Sequence, residues 1–411
     1  MDMDILLNRY ADLILTHGVN IQKGGILNIQ VECYGRDFAV LIAEKAYDMG
    51  AKAVYLDLID SRMEKLRISK TDIEDISLML DYQVKKFDEF VEKRISTLRL
   101  RCHEDPDILS NEDPKKITAR ELAVKRAAKK FYEEGIGQKK FTWCIAAMAT
   151  PKWGKKVFPS LTEKEAESAL WEQIFKICLV DKEDCLELWL KRDKEIKSRI
   201  ERLSSFNIKE FHFSGPDTDL YIGLSPKATF SGGSTMTDDG ISFEANIPSE
   251  EIYTTPDWRT VRGTVKATRP ILISEKQVRD LRMTFTNGVV TDFDATEGKE
   301  NFASFIEADD GASRLGEVAL VGTDSPIFQS GHIFEEILFD ENAACHIALG
   351  RGFEHIIKGS DKMTREELEN EGFNFSNFHK DIMISSPEVD VIAETRNGEK
   401  IDIIKKGKFV I

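Results

Sequence analysis

The first sixty residues contain two apolar segments separated by one helical segment, and this order restricts the fold more than any other feature. Residues 24–31 (GGILNIQV) predict a turn followed by a strand, and residues 36–49 predict a helix that ends at Gly50. Residues 53–58 (AVYLDL) predict a second strand. A strand–helix–strand unit of this length joins parallel strands through a right-handed crossover. The chain therefore begins with a parallel α/β unit.

The same pattern continues through the first half of the chain. Further strands are predicted at residues 97–101 and 141–147, with a helix at residues 119–134 between them. Residues 162–204 are charged and helical, and they predict a helical linker at the end of this half. Because 411 residues exceed one typical hydrophobic core, we expect two domains. The first, residues 1–205, is predicted to be an open, largely parallel α/β domain.

The second half is predicted to be an α+β, β-rich domain, residues 206–411. Short alternating segments such as FHF at 211–213 and ISFEA at 241–245 are typical of strands. The pair Asn287-Gly288 lies between apolar segments and predicts a tight hairpin.

Composition excludes several classes of partner. The net charge of −15 argues against nucleic acid and against anionic membrane surfaces, since both require basic residues. No apolar run approaches the roughly 18 residues of a membrane span. The six cysteines form no CxxC pair, and we expect them to be reduced thiols. Reduced thiols favour a cytoplasmic protein. The segment after the first strand, ECYGRD, has one glycine, so a nucleotide-binding loop is not indicated.

Carboxylates and histidines in the second half suggest a metal site. His379 and Asp381 are two residues apart, and on a strand such residues share one face. Glu341 and His346 form a second pair of oxygen and nitrogen ligands. Glu317 interrupts the apolar run at residues 315–321, and a buried carboxylate requires a partner such as a cation.

Each residue has an ordinary structural explanation when it is taken alone. Glu341 would cap a helix that begins at Asn342, and His346 would then lie on a face of that helix. Glu250 and Glu251 are typical of a helix's first turn, where acidic side chains are favoured. Together, however, the carboxylates and the two imidazoles have the composition of a two-metal hydrolytic site.

Four segments resemble one known family in the same order along the chain. They are NIPSEEIYTTPD (246–257), SRLGEVALVGTDSPI (313–327), LFDENAACHIALGRGF (338–353) and FHKDIMISSPEVDV (378–391). These segments resemble the aminopeptidase T family, the dinuclear metallo-aminopeptidases that include PepS and AmpS. The resemblance extends to the first half, so it covers nearly the whole chain.

The resemblance implies a ligand set and a reaction. Two divalent ions (zinc, cobalt, manganese or magnesium) would activate a water molecule, Glu317 would bridge them, and Glu250 or Glu251 would move a proton. Spacing to Glu317 favours Glu251 over Glu250 as the ligand. The implied metal ligands are Glu251, Glu317, Glu341, His346, His379 and Asp381.

The implied protein is a cytoplasmic, homodimeric aminopeptidase that releases N-terminal residues from peptides, with the first domain as an access wall, lid or dimer surface. One residue departs from the family pattern: Phe353 stands where the family has a tyrosine whose hydroxyl assists the reaction. The alternative is therefore a catalytically impaired relative that binds metal and peptide. If residues 353–355 are extended, His355 would share a face with Phe353 and replace the missing donor.

Overall fold

The structure is a computed structural model that describes residues 2–273 and 276–411. It contains two compact units. The first comprises the chain up to Lys191 together with Ser234–Pro248, and the second comprises Arg192–Gly233 and Ser249–Ile411. A short segment of the second half of the sequence thus returns to the first unit.

The longer helices belong mainly to the first half of the chain, as the sequence predicted. In chain order they are α1 Met3–Leu13, α2 Arg36–Asp48, α3 Ser61–Lys70, α4 Asp81–Glu92, α5 Pro114–Ala127, α6 Pro151–Val157, α7 Glu163–Ile177, α8 Cys185–Ser205, α9 Lys299–Ile306, α10 Pro326–Gln329, α11 Ile337–Asp340 and α12 Arg365–Asn370. Among the described residues, no helix has the length and apolar character needed to cross a membrane.

The strands run through both units. In chain order they are β1 Ile26–Glu32, β2 Ala53–Ile59, β3 Ser96–Arg101, β4 Trp143–Ala147, β5 Ile208–Gly215, β6 Thr218–Gly223, β7 Thr235–Met236, β8 Ser242–Phe243, β9 Asn246–Ile247, β10 Ile252–Thr254, β11 Arg262–Lys266, β12 Ile271–Ile273, β13 Lys276–Val278, β14 Arg282–Thr286, β15 Val289–Asp294, β16 Leu315–Leu320, β17 His346–Gly350, β18 His379–Met383, β19 Asp390–Thr395, β20 Lys400–Lys405 and β21 Lys408–Phe409.

The first unit is built on a parallel sheet with the strand order β2-β1-β3-β4-β9. The predicted parallel sheet is therefore confirmed. The apolar side chains of β1, Leu27, Ile29 and Val31, are buried, and burial of such side chains stabilises by about 1.5–3 kcal/mol each.

The second unit contains an antiparallel sheet of eight strands with the order β15-β14-β11-β6-β5-β19-β20-β21. The hairpin between β14 and β15 turns at Asn287 and Gly288, whose φ angles are 50° and 84°. Positive φ at both positions is the requirement of a type I′ turn, which explains the asparagine and the glycine. The predicted hairpin is confirmed.

A second antiparallel sheet, with the order β10-β16-β17-β18, positions the candidate site. Val318, Leu320, Ile347, Leu349 and Ile382 belong to the buried hydrophobic core that it shares with the eight-stranded sheet. Because side chains alternate along a strand, Glu317, Ala348 and their neighbours two residues away lie on the opposite face.

The interpretation of residues 342 onward as a helix is wrong. After α11, residues Glu341–Ala343 form a single 3-10 turn, and β17 begins at His346. β17 pairs with β16 on one side and with β18 on the other. A short, fully buried apolar run has no alternation that would distinguish a strand from a helix, so these pairings decided its structure.

Candidate metal centre

The six predicted ligands come from three strands, one turn and the residue before a fourth strand, all in the second unit. Glu251 directly precedes β10, Glu317 lies on β16, and Glu341 lies in the 3-10 turn. His346 begins β17, and β18 carries the remaining pair, which are His379 and Asp381.

The strand register brings these side chains to one face of the sheet. Glu317 pairs with Ala348 of β17, and Ala348 pairs with Asp381 of β18. Paired residues point to the same side of a sheet, as do residues two apart on one strand. His379, two residues before Asp381, therefore lies on the same face as Glu317.

The first close group consists of Glu251, Glu317 and His346. One ligand atom from each residue lies within 4.8 Å of the others. The contact between His346 Nε2 and Glu251 Oε2 is 3.1 Å long. Two carboxylates and an imidazole of this kind suit a divalent cation.

The second close group consists of Glu317, His379 and Asp381, again with ligand atoms within 4.8 Å of one another. His379 Nε2 lies 3.0 Å from Glu317 Oε2 and 3.2 Å from Asp381 Oδ1. Glu317 belongs to both groups, and its side chain is 4% exposed. Its carboxylate is thus placed between the two groups, as a bridging ligand would be.

Glu341 is in neither close group, although it belongs to the same charged environment. Burial, followed by the negative charges of Glu251 and Asp381, raises the pKa of Glu341 well above its ordinary value. Burial also raises the pKa of Glu317, and the charge of Glu251 adds to this effect. Burial and neighbouring negative charge thus disfavour the ionised forms of Glu317 and Glu341. The pKa of Asp381 moves the other way: burial opposes its ionised form, but His379 and His346 lower its pKa to about 2.

The imidazoles respond in the opposite direction. Burial alone would lower the pKa of His346, but the hydrogen bond to Glu251 and the surrounding carboxylates raise it to about 10. Burial likewise opposes the protonated form of His379, whereas Asp381 and Glu317 raise its pKa well above the ordinary value. The neighbouring carboxylates thus favour the protonated, positively charged form of both imidazoles.

Backbone carbonyl groups orient both imidazoles. His379 Nδ1 lies 2.7 Å from the oxygen of Arg351, and His346 Nδ1 lies 3.4 Å from the oxygen of Ala344. A hydrogen on Nδ1 bonded to a carbonyl directs Nε2 toward the carboxylates, which is the usual arrangement of metal-binding histidines. Gly350 has φ +108°, and a Cβ there would clash with the carbonyl of Phe378, next to His379.

The chain is similar to known proteins over nearly its whole length. A family described as thermophilic metalloprotease (M29) matches residues 3–409.

The chain belongs to the M29 family of metallo-aminopeptidases.

Relatives within the family are similar over the whole chain. Aminopeptidase AmpS of Bacillus subtilis is 34% identical over 403 residues, which cover 98% of each chain. Aminopeptidase T of Thermus aquaticus is 34% identical over 410 residues, again 98% of each chain. The solved structure of wild-type AmpT from Thermus thermophilus superposes with a TM-score of 0.93 at 30% identity and covers both chains completely. This M29 protein is therefore a hydrolase of peptide bonds.

The neighbouring carboxylates Glu250 and Glu251 have different surroundings. Glu250 Oε1 lies 2.9 Å from Arg192 Nη1, and the amide of Glu250 donates to Asn342 Oδ1 at 2.7 Å. Glu251 instead contacts His346 in the first close group. Sequence spacing gave only a weak preference for Glu251 over Glu250 as the metal ligand, whereas in the structure each glutamate has a distinct partner.

Residues 353–355 are not extended, because Glu354–Ile356 form a 3-10 turn. The condition under which His355 would share a strand face with Phe353 is therefore not met. Phe353 nevertheless lies beside the site, with its ring centre 5.1 Å from that of His379. Its ring is also 5.1 Å from the ring of Tyr253. The sequence does not indicate that Tyr253 lies near Phe353, because the two residues are one hundred positions apart.

Proposed function

We propose that this M29 protein is a metal-dependent aminopeptidase that releases N-terminal residues from peptides. The observation that carries the proposal is the position of Glu317 in both close groups, within 4.8 Å of imidazole and carboxylate atoms on each side. A single carboxylate shared by two ligand groups is the arrangement expected of a bridging ligand between two ions.

The proposed ligands are the six residues expected from the sequence. With neutral imidazoles, four carboxylates carry four negative charges, and two divalent cations would balance them. Oxygen and imidazole nitrogen ligands suit zinc, cobalt, manganese and magnesium. The proposed ligand set is Glu251, Glu317, Glu341, His346, His379 and Asp381.

When bound, the cations would polarise the scissile carbonyl and lower the pKa of the attacking water. The chain's own groups would do the rest. Backbone carbonyl groups fix the direction of both imidazoles, and Glu317, which belongs to both close groups, would link them. Water adds to the carbonyl carbon, the carbon–nitrogen bond breaks, and the leaving nitrogen takes a proton. Glu250 or Glu251 would carry that proton.

The alternative function is a catalytically impaired relative that binds metal and peptide. The phenylalanine at position 353 favours it, because its ring occupies the edge of the site without a hydrogen-bond donor. Hydrolysis separates the two functions, since both predict metal binding and only the first predicts turnover.

The test uses metal-stripped protein resupplied with zinc, cobalt, manganese or magnesium and assayed on aminoacyl-anilides. We expect metal-dependent release of single N-terminal residues and no release from substrates with an acetylated N-terminus. Glu317→Gln should abolish the activity, and Glu300→Gln, an exposed change on α9, is the matched control. Bound metal without turnover on a broad peptide panel would favour the impaired relative, and full activity of Glu317→Gln would contradict the bridging role.

We further propose a cytoplasmic homodimer. The described cysteines are all free, which suits a reducing compartment. The dimer is proposed from the resemblance to the family. Light scattering of the purified protein tests the dimer, and a monomer at micromolar concentration would contradict it.

A further inference from the structure

Tyr253 lies on the same face of the sheet as the proposed ligands. It is the central residue of β10 and pairs with Ala319 of β16. Ala319 is two residues from Glu317, and Tyr253 is two residues from Glu251, so the alternation of strands places all four on one side. Ala319 also pairs with His346 of β17. The phenol therefore lies on the same face of the sheet as Glu251, Glu317 and His346 of the first close group.

The ring of Phe353 lies between Tyr253 and His379 of the second close group. The ring of Tyr253 lies 5.1 Å from the ring of Phe353, which in turn lies 5.1 Å from the ring of His379. A fourth ring, that of His355, lies 5.8 Å from Phe353. Phe353 is thus enclosed by polar rings at the edge of the site, and Tyr253 brings a hydroxyl to this edge.

His355 contacts the hydroxyl of Tyr253. Its Nε2 lies 3.4 Å from the phenol oxygen, a long hydrogen bond of the kind that shortens when a substrate closes a site. When His355 Nε2 donates, the phenol oxygen accepts and the phenol hydrogen can be directed elsewhere. The 3-10 turn Glu354–Ile356 brings His355 to this position.

The cations would polarise the scissile carbonyl, and a hydrogen-bond donor at its oxygen would add to this effect, but the proposed ligands supply no such donor. As water attacks, the carbonyl oxygen of the substrate gains negative charge, and carboxylates would repel it. Phe353 has no donor. Fixed donors at this oxygen contribute about 10²–10³ in kcat in other hydrolases.

We propose that the hydroxyl of Tyr253, positioned by His355, donates a hydrogen bond to the carbonyl oxygen of the scissile peptide as that oxygen gains charge. This inference rests on the proposed aminopeptidase function. Tyr253 would be a catalytic residue, and His355 would be a positioning residue that acts through it.

The decisive variant is Tyr253→Phe, because it keeps the ring against Phe353 and removes only the hydroxyl. In metal-loaded protein we expect kcat to fall about a hundredfold, with KM and metal content almost unchanged. Tyr221→Phe is the matched control, since Tyr221 stacks on His212 in the eight-stranded sheet, outside the site. That variant should match the unaltered protein.

Binding provides a second readout that does not depend on turnover. A phosphinic dipeptide analogue, which mimics the tetrahedral carbon and its charged oxygen, should bind Tyr253→Phe at least tenfold more weakly. A simple alkylamine, which keeps the amino group and side chain of the substrate but has no oxygen at this position, should bind both proteins equally. Loss of both affinities, or loss of bound metal, would instead give Tyr253 a structural role and overturn the proposal.

Two further variants test the geometry. In Tyr253→Phe, the added change Phe353→Tyr returns a hydroxyl one ring closer to His379, and we expect it to restore part of kcat. His355→Gln retains a side-chain donor and should keep most activity, whereas His355→Phe should lose about tenfold. Equal kinetics of Tyr253→Phe and the active unaltered protein would overturn this inference alone. If the unaltered protein binds metal without turnover, the proposed function is overturned. The affinity of the phosphinic analogue for the unaltered protein and for Tyr253→Phe would then still test the Tyr253 hydrogen bond.

Discussion

Replacing Glu317 with glutamine should uncouple the stability of the protein from metal. Glutamine keeps the shape of the side chain and removes one negative charge shared by both close groups. In the metal-free protein, burial and the charge of Glu251 raise the pKa of Glu317, so its ionised form is disfavoured. We therefore expect metal-free Glu317→Gln to fold at pH 7 with stability equal to or above that of the unaltered protein.

The metal-bound protein should behave in the opposite way. A metal at a hundred times its Kd stabilises the folded state by about 2.7 kcal/mol. Removing a residue that only hydrogen-bonds to a metal ligand weakens metal binding by about 10–100-fold. Removing the charge of a ligand shared by both groups should therefore weaken metal binding by at least about 100-fold. A hundredfold loss at the same metal concentration would leave only about 0.4 kcal/mol of stabilisation.

Urea unfolding with and without added zinc measures both quantities, and elemental analysis measures the bound metal. Glu300→Gln is the control for the change of charge, since Glu300 is exposed on α9. If Glu317→Gln kept the full metal-dependent stabilisation, Glu317 would not be a shared ligand. If the metal-free variant failed to fold, the charge of Glu317 would be needed for structure, and the electrostatic reasoning would be wrong.

Three further results are expected. Glu251→Gln should lower metal content, whereas Glu250→Gln, which alters the pair with Arg192, should retain metal, and equal content in both by elemental analysis would remove the distinction. In metal-free protein the raised pKa of His346, about 10, contributes stability that is present below the unfolded value near 6.5 and is lost as the pH rises through 10. Urea midpoints should therefore fall across this range, and a flat profile would contradict the shift. Gly316→Ala should push on the backbone of Arg351, whose carbonyl orients an imidazole, so calorimetry should show weaker metal binding with the fold retained by circular dichroism.

Local sequence was sufficient for features that depend on neighbouring residues. The strand–helix–strand order of residues 26–59 appeared as predicted, because each element carries its own apolar pattern and the helix has a stop signal at Gly50. His379 and Asp381 share one face of β18 for the same reason, since alternation is a property of a single strand. The hairpin at Asn287 and Gly288 follows from the positive φ that these residues tolerate.

The resemblance to the family, carried by four ordered segments, added the expected ligand set. Without the resemblance, most of these residues could equally be explained by ordinary structural roles, such as capping a helix. The structure places five of the six in two overlapping groups and the sixth, Glu341, in the same charged environment.

Tertiary structure decided what depends on residues distant in sequence. His346 begins a strand because β16 and β18 pair with β17 on its two sides. The sequence of residues 346–350 has no pattern that predicts these pairings. The pairing of β10 with β16 likewise brings Tyr253 to the site, one hundred residues before Phe353. The sequence by itself determined the family and the elements that have a clear local pattern, such as those of the parallel sheet. Which side chains meet was decided by strand register, because a shift of one residue would turn every side chain to the opposite face.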